Sequence, residues 1–235
     1  MENLKGRKAL VSGGSSGIGR AIAQKLSEAG TQTAVADIAP PDSTSSDRFH
    51  TFRCDVSSGP EVDTLFQQVH QQLGKPDILI CSAGRGIHEK LTEGDPEKWR
   101  HIIETNLLGA LRMVRAFTPG MLEAGHGDVI FLSSVAAQHP YTYGGVYAAT
   151  KSALEVVAET LRLETLPLLR VTVIAPGVTD TRFFENTVSG YHTAKEIGYG
   201  AISPEEVAGA VLYAVSRPPG VSVGNITIRP TAQPF

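Results

Sequence analysis

The residues best suited to proton transfer in this sequence are Tyr147 and Lys151, which stand four residues apart in the stretch GGVYAATKSALEVVAETLRLETL. Apolar residues recur here at helical spacing, which predicts an amphipathic helix of about 20 residues. One helical turn places the phenol and the ammonium on the same face. A nearby ammonium favours the phenolate by lowering its pKa, which is otherwise near 10. The pair is a candidate acid and base, although the same spacing also fits an aromatic edge beside a solvated amine.

A glycine-rich turn near the N-terminus is a second candidate for chemistry. Lys8 to Ser12 is a short β-type run, GGSSGIG follows it, and Arg20 to Ala29 has helical periodicity that stops at Gly30. Glycines in such a turn let a pyrophosphate approach the free N–H groups at a helix N-terminus. The candidate cofactor-binding residues of this turn are Gly13, Ser15, Ser16, Gly17, Ile18 and Gly19.

The next β-type run, Thr33 to Asp37, ends in a carboxylate. It lies about 20 residues after the glycines, where a dinucleotide-binding fold places the acid that contacts a ribose. An aspartate at a strand end is otherwise an ordinary turn residue. Its position after the glycine turn favours the binding function.

Strand and helix patterns alternate along the rest of the chain, and residues 38 to 47, with two prolines, are expected to form a loop. Helical patterns cover 60 to 73 and 96 to 121, and the β-type runs are Phe49 to Arg53, Asp77 to Ile80, Asp128 to Leu132, Arg170 to Ile174 and Asn225 to Ile228. The alternation predicts an α/β fold, a single Rossmann-type doubly wound parallel β-sheet with helices on both faces.

Such sheets bind ligands beyond the carboxyl ends of their strands. Polar and small residues of this sequence collect at those ends, and the candidate cofactor-binding residues among them are Asp55, Val56, Ser82, Ala83, Gly84, Pro176, Gly177, Val178 and Thr181. Asp55 and Val56 are placed to touch an adenine edge, or they belong to the approach to a helix with Ser57 or Ser58 as its N-cap.

Composition favours one domain and argues against several classes of binding protein. The chain has 235 residues, 41% of them hydrophobic, which fits a single domain over 1–235. A net charge of -3 with scattered basic residues gives no electrostatic footprint for nucleic acid or an anionic membrane. No export signal or apolar run of about 18 residues is present, so a soluble cytoplasmic protein is expected.

Metal and disulfide chemistry are not expected either. The seven histidines never adopt HxxxH or HExxH spacing, and neither Cys54 nor Cys81 stands in a CxxC motif. Both cysteines are expected to be small buried side chains without a disulfide.

One long helical segment carries more apolar residues than one core explains. The helical pattern 96 to 121 has more apolar surface than one inward face, which indicates a partner subunit or overlap with the sheet. Asn106 lies inside it, either hydrogen-bonded or facing the surface.

The irregular segment 179 to 202 is expected to cover the site. Side chains that could line a mixed aromatic and polar pocket, or simply pack, are Gln138, His139, Tyr141, Tyr143, Phe183, Phe184 and Tyr191.

Jointly, these motifs resemble the short-chain dehydrogenase/reductase family over nearly the whole chain. SGGSSGIG at 12–19 is similar to the family's TGxxxGIG turn, and CSAG at 81–84 is similar to NNAG. The other matching stretches are ETNLLG at 104–109, SSVAA at 133–137, YAATK at 147–151 and PGVTDT at 176–181. The ending IRPTAQPF departs from the family's usual glycine-rich ending and resembles a subgroup of 3-hydroxy acid and related aldehyde or ketone reductases.

The resemblance implies hydride transfer between a nicotinamide cofactor and the carbinol or carbonyl carbon of a secondary alcohol or ketone. It makes Tyr147 the acid and base, and Lys151 the group that lowers its pKa and holds the nicotinamide ribose. The family's catalytic serine precedes its tyrosine by thirteen residues, which selects Ser134 over Ser133 as donor to the developing alkoxide. Asn106 would hold a water that connects the lysine to solvent. The long helices would build a four-helix interface in a homotetramer, or failing that a homodimer.

The cofactor itself is predicted from charge. Asp37 would repel a 2′-phosphate but accept a hydrogen bond from a 2′-hydroxyl. No Arg or Lys stands at Ser15, Ser16 or Ile38, and Arg48 is too far along to neutralise a phosphate. The sequence therefore favours NAD over NADP.

Two other functions stay open. The C-terminal resemblance also fits an NADPH-dependent reductase of 3-oxo or 3-hydroxy acids or of aldehydes, and the fold alone fits a dinucleotide-binding redox sensor without catalysis. Arg85 and Arg182, which follow CSAG and PGVTDT, are either solvated loop residues or ligands for a substrate carboxylate.

Overall fold

Seven parallel strands form one sheet in the computed structural model, which describes residues 4–39, 49–190 and 198–235. Their order across the sheet is β3-β2-β1-β4-β5-β6-β7. The strands are β1 (Lys8–Ser12), β2 (Gln32–Asp37), β3 (Phe49–Arg53), β4 (Ile78–Cys81), β5 (Gly127–Leu132), β6 (Leu169–Pro176) and β7 (Asn225–Ile228). This topology confirms the predicted doubly wound α/β fold, and every predicted strand is present with its ends within two residues.

Helices cover both faces of the sheet, and local sequence signals set several of their ends. They are α1 (Gly17–Glu28), α2 (Gly59–Gln72), α3 (Pro96–Ile103), α4 (Gly109–Ala124), α5 (Gly145–Thr165) and α6 (Pro204–Val215). Ser58, Asp95 and Ser203 cap α2, α3 and α6 by accepting a hydrogen bond from a backbone N–H in the first turn, with proline at the start of each helix. Gly125, with a φ of 78°, ends α4 in a left-handed cap.

The core has two layers because the sheet is buried on both faces. On one face α2, α4 and α5 pack residues such as Leu65, Phe117 and Leu154 against Leu79. On the other, α1 and α6 pack Leu26 and Val211 among a second set of strand side chains. Both faces carry continuous apolar side chains, as expected for a parallel sheet.

The structure departs from the predicted helices in three places. The helix after the glycine turn begins at Gly17 rather than Arg20, because the turn residues themselves form its first turn. The segment 96–121 contains a π turn over 104–108 and runs on to Ala124. The sequence analysis missed α6, although Ser203 and Pro204 are a standard start signal.

Some predictions fall on residues outside the described ranges. These are most of the loop 38–47, Arg48, Tyr191 and the middle of the segment 179–202. Within the described ranges, no helix has the length and hydropathy that crossing a membrane requires.

Charged residues close the amino-terminal edge of the sheet. The Asp128 side chain is 3% exposed. It accepts hydrogen bonds from two Arg170 N–H groups at 2.7 and 2.8 Å, and the Arg7 guanidinium lies 2.8 Å from it. Arg7 also pairs with Asp77. The Arg170 guanidinium donates further to carbonyls at the end of α6 and just beyond it, including Val215 and Arg217. This cluster ties β1, β4, β5, β6 and α6 together at the edge opposite the glycine turn.

Apolar side chains remain exposed on the outer faces of the long helices. Val156 and Leu163 of α5 are 68% and 57% exposed, and Ile103 and Leu108 near the π turn are 41% and 39% exposed. This agrees with the predicted excess of apolar surface on these helices.

Candidate active site

The carboxyl ends of the strands surround one long cleft of about 1280 Å³. Every predicted cofactor-binding residue lines it, from the glycine turn and Asp37 at one end to Tyr147 and Lys151 at the other. Ser134 lines it as well, whereas Asn106 does not. We call the part around Gly13 to Gly19 the glycine end, and the part around Tyr147 and Phe183 the substrate end.

Three glycines at the glycine end are required by close approach or by backbone conformation. A Cβ on Gly19 would stand 2.1 Å from the carbonyl oxygen of Gly13, and a Cβ on Gly13 would stand 2.8 Å from Cα of Ala83. Gly13 and Gly17 also have φ values of 67° and 51°, which favour glycine. The turn is thus a glycine-rich cradle at the N-terminus of α1, which is suited to a phosphate group.

Asp37 and Ser15 shape the same end. Asp37 accepts hydrogen bonds from the backbone N–H groups of Ser15 and Ala39 at 3.1 and 3.2 Å. The hydroxyl of Ser15 is buried without a partner among the described residues. A buried hydroxyl without a partner is costly. With a carboxylate beside it, this hydroxyl fits a ligand that carries hydroxyl groups, such as the ribose of a dinucleotide.

Ser12 supports the CSAG stretch in a way that the sequence analysis did not anticipate. Its hydroxyl donates to the carbonyl of Ile80 at 3.2 Å and accepts from the N–H groups of Ser82 and Ala83 at 3.1 and 3.3 Å. The serine that replaces the family's threonine therefore keeps the hydroxyl that holds the two strand ends together.

Tyr147 and Ser134 meet at the substrate end. Tyr147 is 8% exposed and lies in the first turn of α5, while Ser134 caps the short 3₁₀ turn after β5 by accepting from Ala136 N–H at 3.1 Å. Burial raises the pKa of the Tyr147 phenol to about 12, and a hydrogen bond with Ser134 acts in the opposite direction. The phenol is therefore protonated at neutral pH.

Lys151 lies one helical turn after Tyr147 in α5 and is buried beside it. Its ammonium lies 5.7 Å from the centre of the Tyr147 ring and donates to the carbonyl of Leu132 at 2.7 Å. Burial lowers the pKa of Lys151 to about 8. Loss of water is the main influence on the phenol here, and the role of Lys151 in lowering the pKa of Tyr147 stays a prediction.

Asn106 is buried rather than facing the surface, and it sits in the π turn. Its side-chain oxygen accepts from Arg85 N–H at 2.8 Å, and its amide donates to the carbonyl of Arg85 at 2.9 Å and to Thr150 Oγ1 at 3.2 Å. Thr150 in turn donates to the carbonyl of Tyr147 at 2.7 Å. Asn106 therefore links the loop after β4 to the turn that carries Tyr147 and Lys151. The sequence analysis missed Thr150, although it directly precedes Lys151.

The C-terminal tail contributes a residue that the sequence analysis did not identify. Gln233 is 5% exposed, lines the cleft, and accepts from Val178 N–H at 3.0 Å. A Cβ on Gly177 would stand 2.2 Å from the Gln233 side-chain oxygen, so this glycine makes room for the amide. Gln233 thereby fixes the PGVT loop against the cleft. No local pattern links two residues this far apart in sequence.

The predicted pocket side chains divide into two groups. Tyr141, Phe183 and Phe184 line the cleft, and the Phe183 ring lies 5.6 Å from that of Tyr147. Among the described residues Gln138, His139 and Tyr143 do not line it. Gln138 donates to Glu155 Oε2 at 3.4 Å, and the His139 ring packs against Phe235, which itself lines the cleft.

The two arginines also differ. Both line the cleft, but Arg85 donates to the carbonyl of Asn186 and contacts His101, each at 3.4 Å. Arg182 is exposed on the 179–190 segment. Arg182 is thus the better placed of the two to bind an acidic group from solvent.

Other chemistry finds little support in the described part of the chain. No group of three or more histidine, cysteine or acidic side chains there could hold a metal ion. Cys54 and Cys81 are unpaired and buried, and burial raises the pKa of each thiol to about 12, so neither is a ready nucleophile.

Comparison with known proteins gives consistent relatives. The family described as short chain dehydrogenase matches residues 7–192. An uncharacterised oxidoreductase of Staphylococcus epidermidis is 33% identical over 239 residues, which cover 98% of this chain and 100% of that protein. Glycine betaine reductase ATRR of Emericella nidulans is 31% identical over 244 residues, 99% of this chain but 19% of that protein.

Solved structures with the same fold agree. An alcohol dehydrogenase from the archaeon Thermococcus sibiricus, complexed with 5-hydroxy-NADP, has a TM-score of 0.85 and 28% identity over 97% of this chain and 98% of that one. The closed form of a serine dehydrogenase complexed with NADP+ has a TM-score of 0.88 and 27% identity over 97% and 96%. With the family match, these relatives show that this chain belongs to the short-chain dehydrogenase/reductase family of oxidoreductases.

Proposed function

We propose that this oxidoreductase transfers a hydride between a nicotinamide cofactor and the carbinol or carbonyl carbon of a secondary alcohol or ketone. The observation that carries the proposal is the buried Tyr147 phenol, hydrogen-bonded to Ser134 beside a buried Lys151, in the cleft whose other end is the glycine cradle. A proton donor, a hydroxyl and an ammonium therefore share the end where a substrate would lie.

The cradle and its neighbours would hold the cofactor. The glycine-rich turn suits the pyrophosphate. The Ser15 hydroxyl, which has no partner among the described residues and lies beside Asp37, suits a ribose. We propose NAD(H) rather than NADP(H), because the Asp37 carboxylate would repel a 2′-phosphate. When bound, the cofactor supplies or takes up the hydride.

The chain's own residues would move the proton. In ketone reduction the Tyr147 phenol would give its proton to the carbonyl oxygen, and Ser134 would donate a hydrogen bond to the charge that develops there. The phenol is protonated at neutral pH, as the role of proton donor requires. Asn106 and Thr150 would act as positioning residues for this end, through Arg85 and the first turn of α5.

Substitution of Tyr147 tests the proposal. Tyr147→Phe removes the transferable proton and conserves the ring, so turnover of secondary alcohols and ketones should fall by at least about a hundredfold. Affinity for the reduced cofactor, measured by fluorescence titration, should change less than twofold. Retention of more than a few per cent of activity would contradict the role of Tyr147, and cofactor binding without turnover of any alcohol or ketone by the native protein would favour a redox sensor.

A second candidate is an NADPH-dependent reductase of 3-oxo acids or aldehydes. It is favoured by the two solved relatives whose ligands are NADP forms, and by the exposed Arg182 at the cleft. Under this alternative, Arg182→Ala should raise KM for an acid substrate far more than for its neutral ester.

We further propose a homotetramer, formed through the exposed faces of α3, α4 and α5. The cytoplasm remains the expected compartment on the grounds of sequence.

A further inference from the structure

A second tyrosine stands at the substrate end, paired with a histidine that the proposed chemistry does not use. The Tyr141 hydroxyl and His88 Nε2 are 2.8 Å apart, and their rings meet edge-on with centres 5.5 Å apart. Both residues line the cleft together with Tyr147 and Phe183. A polar pair in this position faces whatever substrate the cleft takes.

The hydrogen bonds fix the direction in which this pair donates. His88 Nδ1 lies 3.2 Å from the carbonyl oxygen of Gly190, which can only accept, so Nδ1 carries a hydrogen. In the neutral imidazole Nε2 is then an acceptor, and the Tyr141 hydroxyl donates to it. In this neutral form the phenolic proton is committed to His88, and no other described residue donates to the Tyr141 oxygen, which can therefore accept a hydrogen bond.

The backbone holds Tyr141 in this position. Gly144 N–H donates to the carbonyl of Tyr141 at 3.0 Å, and a Cβ on Gly144 would stand 2.4 Å from the Tyr141 ring, so only glycine leaves room for it. Between them Tyr143 has a φ of 69°, a left-handed conformation that is rare for an aromatic residue. Its carbonyl accepts from Glu89 N–H at 2.9 Å, next to His88.

The His88 side of the pair is anchored to the segment that follows β6. His88 N–H donates to the carbonyl of Ser189 at 3.0 Å, and Val188 N–H donates to the carbonyl of Gly86 at 2.9 Å. Ser189 also donates to Glu89. Loss of water around the Tyr141 hydroxyl raises its pKa, and the nearby Tyr147 raises it further, so the phenol stays neutral.

We propose that Tyr141, oriented by His88, determines specificity by accepting a hydrogen bond from a second hydroxyl or an ammonium group on the substrate. The favoured substrates are then vicinal diols, amino alcohols and the ketones that correspond to them, rather than simple secondary alcohols. This inference rests on the proposed alcohol or ketone chemistry of the same site.

Three isosteric alcohols test it: 1,2-propanediol carries a hydroxyl, 1-amino-2-propanol an ammonium, and 2-butanol a methyl group at the same position. The native enzyme should prefer a donor-bearing alcohol to 2-butanol in kcat/KM, and Tyr141→Phe should reduce this preference about tenfold, the range expected for loss of one hydrogen bond. Loss confined to the diol identifies a hydroxyl, and loss confined to the amino alcohol identifies an ammonium. No preference in the native enzyme, or a preference that Tyr141→Phe leaves unchanged, would overturn the inference.

Matched variants separate recognition from structure. Tyr143→Phe removes a neighbouring hydroxyl that does not line the cleft, and it should keep the preference. His88→Phe removes the acceptor for Tyr141 and should act as loss of a positioning group, raising KM for the donor-bearing alcohol about fivefold or more with little change in kcat. An equal fall in kcat for all three alcohols would overturn the role of His88.

A binding measurement keeps the inference distinct from the catalytic proposal. Calorimetry on Tyr147→Phe with NAD+ present should show tighter binding of the donor-bearing alcohol than of 2-butanol, and Tyr141→Phe in that background should remove the difference. If the native enzyme turns over none of these alcohols but the variant still shows this binding preference, only the proposed chemistry is refuted. Equal binding of all three alcohols would refute the inference even where turnover is intact.

Discussion

Burial sets the protonation states of Tyr147 and Lys151 in opposite ways. Both side chains are almost fully buried, and loss of water penalises the charged form of each. The pKa of Tyr147 therefore rises to about 12 and that of Lys151 falls to about 8. The ammonium is consequently the group of this pair that changes charge closest to physiological pH.

This buried ammonium should make stability depend on pH. The unfolded chain keeps the Lys151 proton up to about pH 10.5, the folded chain only up to about pH 8. The unfolded state therefore binds more protons between these values, and the stability contribution of Lys151 grows as pH rises and is lost as pH falls through 8. Compared with Lys151→Met, the native free energy of unfolding should gain about 2 kcal/mol between pH 8 and pH 10.

Urea unfolding of the native protein and the variant at pH 7, 8, 9 and 10, at one protein concentration, checks this prediction. The comparison is needed because the raised pKa values of Cys54 and Cys81 act in the opposite direction above pH 9. The contribution of these thiols to stability is the same in the native protein and in Lys151→Met, so it cancels in the difference between them. A difference that does not vary with pH would contradict the depressed pKa of Lys151.

Asp37 should control the choice of cofactor. Asp37→Ser removes the carboxylate that repels a 2′-phosphate. The difference in binding free energy between NADH and NADPH should therefore shift by about 1 to 3 kcal/mol in favour of NADPH. Fluorescence titration with both reduced cofactors measures this difference. Asp63→Ser, which removes the same charge from the exposed face of α2, should leave the difference unchanged. A native protein that already prefers NADPH would refute the NAD proposal.

At the scale of elements, sequence predicted what local patterns encode. Glycine spacing located the cradle and Asp37, since a turn and the strand after it are close in the chain. The burial of Asn106 in a π turn could not be predicted, because its hydrogen-bond partners on Arg85 and Thr150 are distant in the chain. The contact of Lys151 with Leu132 and the clamp of Gln233 on Val178 likewise depend on how distant elements pack.

The amino-terminal edge of the sheet should depend on Asp128. Asp128→Asn leaves the largely buried Arg170 guanidinium without its anion, which should lower the free energy of unfolding by about 3 to 5 kcal/mol. Urea unfolding measures the loss. Glu123→Gln, in the exposed pair with Lys75, is the matched control and should not move the midpoint measurably. Equal midpoints for both variants would show that the cluster is not needed for stability.

For the whole molecule, the proposed homotetramer forms through α3, α4 and α5. Their exposed apolar residues, including Val156 and Leu163, would be covered in a tetramer. Light scattering at micromolar concentration should give four times the 25.0 kDa chain mass. Val156→Asp with Leu163→Asp should give a smaller species, whereas Leu91→Asp, in the loop after β4, should not. A native monomer would refute the proposal.

The left-handed backbone at Tyr143 places substrate selectivity and thermal robustness in conflict. Holding a tyrosine at a φ of 69° costs roughly 1 to 2 kcal/mol that a glycine would not incur. Mutational drift or laboratory selection for heat tolerance would therefore favour glycine at this position. The same change would add freedom to the turn that presents Tyr141 to the substrate. Under the proposed role of Tyr141, a heat-resistant descendant obtained by that route would discriminate less between substrates than its parent.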